Sequence, residues 1–140
     1  MEDLLKIKIK IAPHPKVKHK QFPNYYGGRE VINQKLAEAA AFSSILITRD
    51  SGGLSYAALY KKPAMMIYSK ELISNIKLIR EQKYFARELG LKPINIDELF
   101  DYKKILNHMN LNEKKYDEYK FKYLTTRKDE KPNYKIIGDL

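Results

Sequence analysis

Residues 44–68 read SILITRDSGGLSYAALYKKPAMMIY, and the fold turns on how this stretch is divided. Residues 44–48 and 64–68 are short continuous apolar runs, the pattern of strands covered on both faces of a parallel sheet. Between them Leu54, Ala57, Ala58 and Tyr60 recur at helical spacing. That helix should stop at Lys62-Pro63, because proline restricts the residue before it. Strand, helix and strand joined this tightly predict a right-handed βαβ crossover.

The joint between the first run and the helix is Arg49-Asp50-Ser51-Gly52-Gly53. A helix start leaves backbone N–H groups unpaired and carries about half a positive charge. At the carboxyl end of a buried strand it faces the crevice where open α/β sheets take their ligands. Gly52 and Gly53 would let an anionic group reach the backbone, Ser51 adds a hydroxyl, and Arg49 offers a bidentate phosphate contact. The same residues also read as plain capping, with Asp50 or Ser51 as the N-cap and the glycines allowing a tight turn. Both readings stand at this level.

Upstream, residues 6–11 (KIKIKI) alternate strictly, with Ile7, Ile9 and Ile11 on one face and lysines on the other, the period of a half-buried strand. The loop that follows, residues 13–28, holds His14 between Pro13 and Pro15. Its imidazole can donate to a phosphate or a ribose, or can be a loop histidine with no ligand. If residues 6–11 and 44–48 are strands of one sheet, His14 and the glycine turn open on the same rim. A helix is expected over 29–42 from Val31, Ile32, Leu36, Ala39 and Ala40.

Downstream, a helix is expected from 69 or 70 to 89, broken near Asn75 and closed by Gly90. Residues 93–96 read as a strand, Asp97 as the cap of a helix over 98–108, and Asn112 as the cap of a last, tyrosine-rich helix. The succession predicts an α/β fold, an open, mostly parallel Rossmann-like sheet of about four strands flanked by helices. Residues 1–125 form its single domain and 126–140 a polar tail.

Lys plus Arg number 27 against 17 Asp plus Glu, a formal charge of +10. The excess is spread along the chain, which suits an anionic partner and equally reflects the residue bias of an AT-rich genome. There is no cysteine, so thiolate metal sites and disulfides are excluded, and His14, His19 and His108 lack metal-ligand spacing. No metal and no cofactor is therefore expected. No apolar run approaches the ~20 residues of a membrane span. A cytoplasmic location is expected, with peripheral contact at an inner membrane left open. Neither G-x-G-x-x-G nor G-x-x-x-x-G-K-[ST] occurs, which disfavours magnesium-dependent phosphoryl transfer.

KIKIAPHPK, ILITRDSGGLSYAALYKKPAMMIYSKEL, LGLKPINIDE and YDEYKFKYL, in this order, resemble the carboxyl-terminal half of bacterial surface-carbohydrate biosynthesis proteins. These are similar to glycosyltransferases of the GT-B fold, including sialyltransferase-like and capsule-polymer enzymes. The resemblance spans about residues 6–123 and implies an incomplete C-terminal GT-B domain that binds a nucleotide sugar. It implies that His14 and Pro15 contact the nucleotide, that Ser51, Gly52 and Gly53 cradle its phosphates, and that Glu71 lies near the donor. Asp50 and Glu71 are the carboxylates it leaves as candidates for a donor contact. The family turn is richer in Ser and Thr than Asp-Ser-Gly-Gly. The acceptor-binding domain with its general base is not within these residues, so activity would need a partner domain.

Two other classes fit the composition. Tyr116, Tyr119 and Tyr123 among lysines suit either base stacking in a nucleic-acid-binding module or, at i, i+3 and i+7, helix packing against the sheet. An incomplete sheet with an exposed edge suits a homodimer.

Overall fold

Three parallel strands frame the molecule in the order β1-β2-β3. They are β1 (Leu46–Thr48), β2 (Ala64–Tyr68) and β3 (Ile94–Asn95), with Leu46 opposite Ala64 on one side of β2 and Ile67 opposite Ile94 on the other. The structure, a computed structural model, describes residues 2–14, 16, 24–32, 36–49, 52–98 and 102–125, without the side chains of residues 4, 5, 72, 73, 102, 104 and 108. The helices are α1 (Glu2–Leu5), α2 (Leu36–Phe42), α3 (Gly53–Tyr60), α4 (Lys70–Ile73), α5 (Ile76–Leu89), α6 (Tyr102–His108) and α7 (Glu113–Tyr119), the last running into a π-helical turn over Lys120–Leu124. The α/β class and the small, open parallel sheet flanked by helices are as expected. Among the described residues the sheet has three strands rather than about four.

The core lies where the pattern of residues 44–68 puts it. Leu54, Ala57 and Ala58 of α3, Ala64 and Met66 of β2, Ala86 and Leu89 of α5, and Tyr116 and Tyr119 of α7 form one buried cluster. Met65, which alternation turns to the other face of β2, is equally buried, so the central strand is covered on both sides. Tyr116 is 1% exposed, and burial pushes its phenol up to about 12 although its hydroxyl hydrogen-bonds the Ala64 backbone.

Local signals set most helix ends. The Asn75 side chain accepts from the Leu78 amide at 3.3 Å, which breaks the long helix into α4 and α5 as the sequence predicts. Gly90 ends α5 at φ 67°, where a Cβ would meet Asn112 Nδ2 at 3.1 Å and Lys115 Cγ at 3.2 Å, so the backbone favours glycine and any side chain would have to push those two neighbours aside. Asn112 caps α7 by accepting from the Lys115 amide at 3.1 Å.

Three expectations are corrected. The strand over 6–11 reduces to a single parallel bridge between Ile11 and Val31. The amides of Ile7, Ile9 and Ile11 would all point one way in a strand, but Glu2 occupies two of them: its carbonyl accepts from Ile7 and its Oε1 from Ile9 at 2.8 Å. The alternation of half-buried isoleucines and exposed lysines persists without the ladder. Second, of the helix expected over 29–42 the described residues show Leu36–Phe42, while Val31 bridges Ile11 and Ile32 donates to Ile11 O at 2.7 Å; residues 33–35 lie outside the described residues. Third, Asp97 caps an earlier helix, and residues 99–101, at the start of the helix it precedes, lie outside the described residues. Asp97 Oδ2 accepts from the amide of Lys70, capping α4, and α6 begins at Tyr102. The tail over 126–140 lies outside the described residues.

Candidate functional site

The carboxyl ends of β1, β2 and β3 open on one edge, and hydrogen bonds tie their loops together. Gln82 of α5 donates through Nε2 to Ile67 O at 3.0 Å and to Arg49 O at 3.3 Å, fixing the loop after β1 against the end of β2. The cap of Asp97 on Lys70 joins the loops after β2 and β3. Buried Asn95 closes the third loop, accepting from the Asp97 amide at 3.1 Å and donating to Glu98 Oε1 at 3.2 Å. Arg49, Gly52, Lys70, Glu71, Asp97 and Glu98 are all exposed along this edge.

The start of α3, which follows β1, lies on this edge. Gly52 occupies the N-cap of α3, one residue beyond Ser51 and two beyond Asp50, the expected caps, and brings no side-chain cap of its own. Its backbone is right-handed, φ −54°, and a Cβ placed on it would meet nothing within 4 Å. Among the described residues neither strain nor crowding therefore asks for glycine at 52. Gly53 is buried beneath it, so an arriving group meets the turn at Gly52.

Arg49, Gly52, Gly53 and Glu71 thus share one edge of the sheet. Pro15, Asp50 and Ser51 lie outside the described residues. His14 is not joined to this edge by neighbouring strands, since residues 6–11 form no strand of the sheet. Its Nδ1 accepts from the Lys16 amide at 3.2 Å within its own loop. Two successive strands of the sheet therefore do not present His14 and the glycine turn on one rim. Gln82 and Asn95, which organise the edge across the fold, gave no sequence signal, and Asp97 gave the signal of a cap but acts on a helix other than the one it precedes.

A second concavity lies away from the edge, between α5 and α7. This cleft of about 460 Å³ is lined by Arg87, Glu88, Lys115, Glu118, Tyr119 and Lys122. Glu88 takes the Tyr123 hydroxyl at 2.8 Å and Lys122 Nζ at 3.0 Å on one oxygen and Arg87 Nε at 3.1 Å on the other. Those donors, the Tyr123 hydroxyl foremost, lower its carboxyl to about 2. A carboxylate held this firmly ionised braces two helices and is a poor proton carrier. Tyr116 and Tyr119 are buried in the core, which leaves Tyr123, 40% exposed, as the one of the three on the surface. The helical spacing of these tyrosines thus serves packing first.

No helix among the described residues is long and apolar enough to cross a membrane. The outer strands β1 and β3 are three and two residues long, lengths that blunt pairing with a second sheet. Compared with protein-family models, curated proteins and solved structures, the chain matches none.

Proposed function

We propose that this chain is the nucleotide-sugar-binding half of a glycosyltransferase of surface-polysaccharide or capsule biosynthesis, acting in the cytoplasm together with a second domain. The observation that carries this reading is Gly52: an exposed glycine at a helix start on the sheet's carboxyl edge, where the described residues make no demand for glycine. A missing side chain at such a place lets a diphosphate approach the first-turn amides. Arg49 and Lys70 add positive charge on the same edge, and Glu71 is the carboxylate assigned to the donor sugar. During transfer the leaving nucleoside phosphate gains charge, and a preformed helix start stabilises that charge without reorganising. The base and the acceptor site belong to the partner domain in this scheme.

The test is calorimetric titration with CMP, UDP and CDP derivatives against the wild type and Gly52→Leu, Ser51→Ala and His14→Ala. Gly52→Leu covers the turn from a position where an added Cβ has open space, so affinity should fall more than about tenfold with Tm little changed. No binding by the wild type, or binding by Gly52→Leu equal to it, overturns the proposal.

A further inference from the structure

The outward side of α5 carries Ile76, Arg80, Lys83 and Arg87 in one line at i, i+4, i+7 and i+11, with Lys77 and Tyr84 beside it. All six are exposed, and from Lys77 to Arg87 the ridge runs about 15 Å. Among the described residues Lys77, Arg80 and Lys83 form no ion pair. The helix's two acids do not offset them. Glu81 is half-buried at the flank, and Glu88 is turned inward onto Lys122, Tyr123 and Arg87. The ridge therefore presents three cations unpaired among the described residues, a fourth in Arg87 that is paired with Glu88, and one large apolar side chain, Ile76, which is 83% exposed.

We infer that this ridge is a docking surface for an anionic lipid bilayer. Two observations favour a bilayer over a nucleic acid. The ridge is the convex side of a single helix, which a flat charged surface meets along its length, and its amino-terminal end offers an isoleucine to the headgroup region. The nearby aromatic rings that would stack bases already have neighbours. Tyr84 contacts Phe85, Tyr123 and Arg87, and Tyr123 contacts Tyr119 and Lys122. The inference does not rest on the nucleotide reading, because the ridge lies on α5 and not on the loops of the carboxyl edge.

The test is co-sedimentation with phosphatidylcholine vesicles that contain or lack about 30% phosphatidylglycerol, using Arg80→Glu/Lys83→Glu and, as a control of equal charge change, Lys8→Glu/Lys16→Glu. Each cation near an anionic surface contributes about fivefold in partitioning, so the ridge variant should lose at least about tenfold and the control less than about threefold. Ile76→Ser should lose about threefold more, and that loss should persist as salt is raised. All substituted positions are exposed, and an unchanged circular dichroism spectrum confirms the fold. Failure of the wild type to bind anionic vesicles overturns the inference. So do equal losses in both charge variants, or capture of single-stranded RNA with no adsorption to vesicles.

Discussion

Residues 2–32 and residues 36–125 are held together by different physics. The larger region closes around a side-chain core in which Leu54, Met66 and Leu89 are fully buried. In the smaller one no described residue is buried. Its shape comes from hydrogen bonds and exposed ion pairs: Glu2 with the Ile9 amide and with Arg29 at 2.8 Å, Lys10 with Glu30 at 3.0 Å, and Ile11 with Glu30 O and Ile32. Exposed pairs contribute little each, about 0–1 kcal/mol. A site whose members sit in both regions is therefore only as well positioned as the weaker one. Gly52 stands on the rigid frame and His14 does not.

The comparison breaks most readily in the core. Leu54→Ala should cost about 2–5 kcal/mol, read as a fall in Tm, whereas Ile9→Ala should cost below about 1 kcal/mol. Equal costs would mean that the amino-terminal segment is as firmly packed as the sheet.

Alkaline unfolding sharpens the contrast next. The core accepts Tyr116 only as the neutral phenol, whose pKa burial has raised to about 12. The unfolded phenol ionises near ~10, so this contribution is complete below that pH and is lost as pH rises towards 12, about 2–3 kcal/mol in all. Tyr116→Phe should flatten the alkaline slope in urea melts at successive pH values. An unchanged slope would remove Tyr116 as its cause.

The amino-terminal segment responds at the other end of the scale. The Ile9 amide, with help from Arg29, holds the Glu2 carboxyl below its ordinary value. Its support is present above the unfolded carboxyl range and is lost as pH falls through the lowered folded value. Glu2→Gln should raise amide exchange at Ile9 by about tenfold and leave Met66 unchanged, as hydrogen-exchange measurements will show. Exchange that rises at both sites would join the two regions into one cooperative unit.

The smallest effect is expected at Lys61, which takes φ 48° at the end of α3 and reaches Glu113 and Asp117 at 3.2 and 3.4 Å. Lys61→Gly relieves about 1 kcal/mol of left-handed strain and loses exposed pairs of similar or smaller size. A net change between zero and about 1 kcal/mol of stabilisation is expected by denaturant titration.

Features written in adjacent residues were legible in the sequence. The apolar run Ala64–Tyr68, the break at Asn75, the end at Gly90 and the cap at Asn112 each depend on residues within one turn of each other. Features made by distant partners were not. Glu2 dissolves a strand by taking its amides, and Asp97 caps a helix 27 residues earlier. Glu88 meets Lys122 and Tyr123 from 34 and 35 residues away. None of these leaves a period or a motif. At the candidate site the glycine turn could be read for the same reason as the caps, and the edge around it could not, because Gln82 and Asn95 act through the tertiary fold.

The most direct measurement is amide chemical-shift mapping of the labelled protein during titration with a nucleoside diphosphate. Binding at the sheet's carboxyl edge should give shifts centred on Gly52, Gly53 and Leu54, extending to Arg49 and Lys70. Shifts confined to the α5 ridge, or none at the start of α3, would contradict it.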